Sequence, residues 1–147
     1  MDIRSGTAAA ALSNFMPRPF KFRGVEVASM EGLLQSLKFK SPEMQIHVCT
    51  LVGLAAKFKG KKKKWWREQT LWWQGTPIAR DSQEFQDLLD EAFLALFTQN
   101  QAARRALLAT RDAKLRHSIG KSDPRQTVLT EREFCSRLER IRSMLAV

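Results

Sequence analysis

The chain has 147 residues, 44% hydrophobic and 27% charged, with a net charge of +10. That fits one globular domain with a real core, too short for two, and basic enough to expect an anionic partner. Two cysteines, Cys49 and Cys135, and two histidines, His47 and His117, make neither a disulfide framework nor a spaced zinc set, so reduced thiols and no metal are expected. The absence of a signal-peptide core or of any stretch approaching a membrane span predicts a soluble, cytoplasmic protein with no membrane partner.

In chain order, residues 1–11 read as a mobile leader ahead of a domain over residues 12–147. Phe20, Phe22, Val25 and Val27 alternate about Gly24, which predicts a small β-hairpin and is the one sheet signal in the chain. Met30, Leu33, Leu34 and Leu37 recur at i, i+3, i+4 and i+7, the apolar face of a short helix over residues 29–39. Glu31, Gln35 and Lys38 stack as a second row bordering that face at Leu34. A border row can line a cleft floored by core, although spacing alone reads more readily as solvated surface. Ser41 and Pro42 open a further helix, with Met44, Val48, Leu51, Val52 and Ala55 at helical spacing as far as Gly60.

Lys61 to Lys64 form a charge run of the kind that is usually solvated. Trp65, Trp66, Trp72 and Trp73 repeat at seven-residue spacing, which on a helix puts each pair on nearly one face. Adjacent indoles cannot both point inward, so at least one is expected to be exposed beside the Glu31 row as a platform for a base. After a break at residues 74–77, Asp81 and Glu84 have capping-box spacing before Phe85, Leu88, Leu89, Ala92, Phe93 and Leu96, the clearest amphipathic helix. A helix over residues 101–110 leads to a polar loop carrying His117, Lys121, Asp123 and Arg125. Thr130 and Glu133 then form a capping box for a last helix with Phe134, Leu138, Ile141 and Leu145 inward. The class is mainly α. Neither a P-loop nor a dinucleotide glycine fingerprint is present.

Ser13-Asn14-Phe15, Pro19-Phe20, Gly24, Ser29, and then Glu31-x-x-x-Gln35-x-x-Lys38-Phe39 resemble the NADAR family of YbiA-like proteins. The likeness continues through Ala56-Lys57, Gly60, Leu107 to Thr110, Leu115 and Ile141-Arg142, and so spans most of the chain. The resemblance implies a single-domain YbiA-like helical fold. It also implies a metal-independent, cofactor-free N-glycosidase or ADP-ribosyl hydrolase that cleaves a ribose-linked nucleobase bond. The substrate would be ADP-ribosylated guanine or nucleic acid, or a phosphorylated ribosyl-pyrimidine. Glu31 matches the family's acidic catalytic position, and Asn14, Ser29, Gln35 and Lys38 fall at matching substrate-side positions. The family often has a glutamate soon after the Leu115 position and then Trp-Gly, whereas this chain has Arg116-His117-Ser118-Ile119-Gly120. The second functional group is therefore left open.

Elementary chemistry is compatible with that activity. Breaking a ribose C–N bond builds positive charge on the sugar, which a carboxylate such as Glu31 can stabilise while it activates water. Lys38, His117 and Asp123 are the candidates to protonate or hydrogen-bond the leaving base. Lys121, Arg125 and the Lys61 to Lys64 run suit a phosphate, and Trp66, Trp72 and Trp73 suit a base. Each also has an ordinary reading, His117 as a loop histidine and Lys121 as a solvated lysine. Two other classes remain open: a catalytically silent module that binds ADP-ribose or NAD, and a basic nucleic-acid-binding protein.

Overall fold

Six α-helices and two antiparallel hairpins make up the described residues, 1–4 and 6–146, of the computed structural model. The helices are α1 (Met30–Ser36), α2 (Pro42–Cys49), α3 (Gly53–Lys61), α4 (Gln83–Gln99), α5 (Gln101–Leu108) and α6 (Glu131–Leu145). One hydrophobic core runs from Ile3 to Ile141. Its centre is α4, whose Phe85, Leu88, Leu89, Ala92, Phe93, Leu96 and Phe97 are all buried against the first hairpin, α5 and α6. No helix among the described residues is long and apolar enough to cross a membrane.

The predicted hairpin forms from β1 (Phe20–Phe22) and β2 (Val25–Val27), with Phe20 opposite Val27 and Phe22 opposite Val25. A second hairpin, β3 (Thr70–Trp73) and β4 (Thr76–Ala79), stands where the tryptophan spacing suggested helix. The two turns share one device: Arg23-Gly24 and Gln74-Gly75 all have positive φ, as a tight type I′ connection requires. Trp72 and Trp73 consequently point to opposite faces of a strand, while Trp65 and Trp66 lie in a single 3-10 turn.

The helix expected from Ser41 to Gly60 is two helices. Around the end of α2 two carbonyls are diverted to the start of α1: Cys49 O accepts from Ala28 N–H (2.9 Å) and Leu51 O from the Ser29 hydroxyl (3.0 Å). Gly53 then restarts the chain at a φ of 54°. The cap of α4 is Ser82, whose Oγ accepts from Phe85 N–H at 3.1 Å; the expected Asp81 is one residue too early and exposed. The Thr130–Glu133 capping box forms with both of its hydrogen bonds.

Residues 1–4 and 6–11 are not the free leader expected from the sequence. Ile3 and Ala9 are in the core, and Ile3 N–H donates to Arg116 O at 2.7 Å beside a parallel bridge between Asp2 and Arg116. Apolar burial and two backbone bonds hold this segment, and one isoleucine with a run of alanines gives little periodic signal for it.

Candidate active site on the first helix

The N-terminus of α1 is fixed from three sides. The Ser29 hydroxyl accepts from Gly32 N–H (3.0 Å) as it donates to Leu51 O, and Glu31 N–H donates to Asn14 O (3.0 Å). Ser29 is fully buried, so it builds the helix start and does not face a ligand. Asn14 acts here through its carbonyl. Met30, Leu33, Leu34 and Leu37 are buried as the spacing predicts, which turns the Glu31, Gln35 and Lys38 row toward the seam between α1 and α3.

At that seam Gln35 Nε2 donates to Glu31 Oε1 at 2.9 Å. Gln35 Oε1 is buried without a partner among the described residues. It lies against Gly60, where a Cβ would stand 1.8 Å from it, so α3 approaches this closely only because position 60 carries no side chain. Burial pushes the Glu31 carboxyl above its ordinary range, against the opposing pull of the Gln35 amide and the Lys38 and Lys57 ammonium groups. Lys38 is pushed down to about 8, first by burial and then by Lys121, with Glu31 opposing. Both side chains keep partial exposure, so the pair is desolvated yet reachable. Lys57 is a charged neighbour of Glu31 that helical spacing did not single out; its place near Gly60 on α3 was the available signal.

The other expected site residues distribute differently. His117 is placed by its own surroundings: its ring meets Phe134 edge-on at 5.4 Å, its N–H donates to Glu131 Oε2 at 2.6 Å, and the charges acting on it are Asp2 and Glu131. Burial lowers its pKa. Asp123 is exposed, and its carboxylate accepts from Arg125 N–H (2.9 Å), the arrangement of a turn former. Neither is among the groups acting on Glu31. Of the tryptophans, Trp65 is buried and Trp66 is exposed, as adjacent indoles require. Trp73, partly buried, packs on the core through Phe22 at 5.0 Å, edge to face. Trp72 is partly exposed under Lys40, whose ammonium is 5.2 Å from its ring, and its backbone N–H donates to Leu37 O (2.7 Å) beside Lys38. Trp66, Lys121 and Arg125 share a groove with Arg67, Gln69 and Gln126.

The sequence model described as Bacteriophage protein GP30.3 matches residues 6–143. The chain belongs to this family. A GP30.3-family relative of Enterobacteria phage T4, described as an uncharacterized 17.1 kDa protein in the Gp30-rIII intergenic region, is 36% identical over 149 residues, covering 99% of this chain and 98% of the relative. Among solved structures, the NMR structure of the E. coli protein YbiA matches with a TM-score of 0.66 at 20% identity, covering 99% of this chain and 84% of that one. The fold of this GP30.3-family chain is therefore YbiA-like.

Proposed function

We propose that this chain is an N-glycosidase of the NADAR type, hydrolysing the bond between a ribose and a nucleobase in a ribosylated nucleotide or ADP-ribose-containing substrate. The observation that carries the reading is the Glu31 carboxylate: partly desolvated, oriented by one amide, and within the influence of the Lys38 and Lys57 ammonium groups. As the C–N bond breaks, its electron pair leaves with the base, and positive charge develops on C1′ and the ring oxygen. Glu31 stabilises that charge and takes a proton from the water that adds to C1′. Lys38 is the acid best matched to the departing base, because a pKa of about 8 lets it give up a proton near neutrality. The YbiA-like fold and the Glu31-x-x-x-Gln35-x-x-Lys38 spacing support the reading.

The test is release of free base, followed by mass, from ADP-ribosylated guanosine and from phosphorylated ribosyl-pyrimidines. The parent protein is expected to turn over at least one class, and Glu31→Gln to lose about a hundredfold or more while staying folded. Equal turnover by Glu31→Gln would remove the carboxylate from the mechanism. ADP-ribose binding without release from any substrate would replace the hydrolase with a silent binding module.

A further inference from the structure

Away from the Glu31 row, the 3-10 turn Trp65–Arg67 and the loop through Lys121 and Arg125 form the walls of an open groove of about 560 Å³. Gln69 clamps them together: its Nε2 donates to Trp66 O (2.9 Å) on one wall and to Arg125 O (2.8 Å) on the other. The residue holds a left-handed φ of 54° to do so, a conformation a glutamine adopts only when its surroundings hold it there. On the loop side, Lys121 O accepts from Glu131 N–H (3.0 Å) and Arg125 N–H is taken by Asp123. Backbone atoms anchor the walls and leave the side chains free.

Those side chains are an indole, three cations and a second glutamine, Gln126. Trp66 is 51% exposed, with the Arg67 guanidinium 5.6 Å from its ring. Arg4–Asp2, Arg23–Glu91 and Arg116–Glu131 are ion pairs elsewhere on the surface. Arg67, Lys121 and Arg125 have no carboxylate partner among the described residues. An exposed indole with three unpaired cations suits alternating bases and phosphates, and a flat ring accepts only a base already out of a duplex stack.

We propose that this groove binds single-stranded nucleic acid, with one base stacked on Trp66 and the flanking phosphates on Arg67, Lys121 and Arg125.

Fluorescence anisotropy of a labelled twelve-residue oligothymidylate, titrated at several salt concentrations against the full chain, tests the groove. Trp66→Ala is expected to weaken binding about tenfold, with Trp66→Phe restoring most of it. Lys121→Ala is expected to flatten the logarithmic salt slope by about 0.7. Arg105→Ala, an exposed cation on α5, serves as the charge control and should bind like the parent. Glu31→Gln should also bind like the parent, which separates failure of the groove from failure of the hydrolase. Unchanged affinity in Trp66→Ala, equal loss in Arg105→Ala, or tighter binding of a twelve-pair duplex would each overturn the proposal. Should Trp66→Ala fail to give the parent circular dichroism, the Arg67→Ala and Arg125→Ala double variant carries the same test.

Discussion

Two of the regions that bury charge in this molecule do so in opposite ways. Between α4 and α6, Arg80 sits 2% exposed with Nη1 and Nη2 on the two oxygens of Glu133 (3.1 and 2.6 Å) and Nε on Thr127 O (3.0 Å). Glu133 also accepts from Gln86 Nε2 and from Thr130 N–H, while Arg137 binds Asp90 and Gln86. Although burial alone would raise the Glu133 carboxyl, its hydrogen bonds to Arg80, Thr130 and Gln86 together outweigh it and hold the group below its ordinary range. On α1, Glu31 has one amide donor, Gln35 keeps an unused buried acceptor, and the shift is upward. Saturated burial holds elements together, whereas burial with spare capacity leaves a group ready for something that is not part of the chain.

The most forceful way to break the contrast is at Arg80. Arg80→Met strands Glu133 in the interior and should cost about 3–5 kcal/mol in urea unfolding, with turnover per folded molecule unchanged. Glu31→Gln should do the reverse. Beyond its loss of about a hundredfold in turnover, it should be at least as stable as the parent at pH 7. The sign follows from linkage: a carboxyl raised in the fold binds its proton more tightly folded than unfolded, so ionising it costs stability as pH climbs from 4.5 through the raised value. Glutamine removes that cost. For Glu133 the direction inverts, and the stability it contributes above 4.5 is lost as pH falls through its depressed value. Thermal midpoints of the parent and both variants from pH 3 to 8 measure the two limbs.

Gly60→Ala should sharpen the contrast further. The new methyl displaces Gln35 and leaves Glu31 without its donor, so turnover is expected to fall about tenfold while the gain in helix propensity offsets part of the crowding. A smaller effect is expected from pH itself. Turnover should fall on the acid side as the raised Glu31 takes a proton and on the alkaline side above about 8 as Lys38 loses its own, by up to tenfold per unit. The smallest effect is expected at His117. His117→Asn removes an edge-on contact with Phe134, on the order of 1 kcal/mol of stability, and should leave turnover within about twofold.

What was legible in the sequence was what is local. The Thr130–Glu133 cap, the stripe of α4 and the four leucine-type positions of α1 need only neighbours three or four residues away. The break between α2 and α3 was not, because its cause is Ala28 and Ser29 drawing on carbonyls more than twenty residues downstream. The second hairpin was hidden by its turn, since Gln74-Gly75 lacks the asparagine or aspartate that usually signals this geometry, and a tryptophan spacing of seven fits a helix as well as two separate elements. At the site, the Glu31, Gln35 and Lys38 row could be read directly. Lys57 and the orphan oxygen of Gln35 belong to packing between helices, which no single helix announces.

Gly60 carries this into how the chemistry is inherited. The geometry of the α1 row depends on an atom that is missing from a different helix, so a descendant that keeps Glu31, Gln35 and Lys38 but gains any side chain at position 60 keeps the letters of the motif and loses its pose. A search for chains sharing this arrangement should therefore score the bare position on the lysine-rich helix together with the acid. Laboratory evolution of α3 toward better solubility should leave that one residue alone.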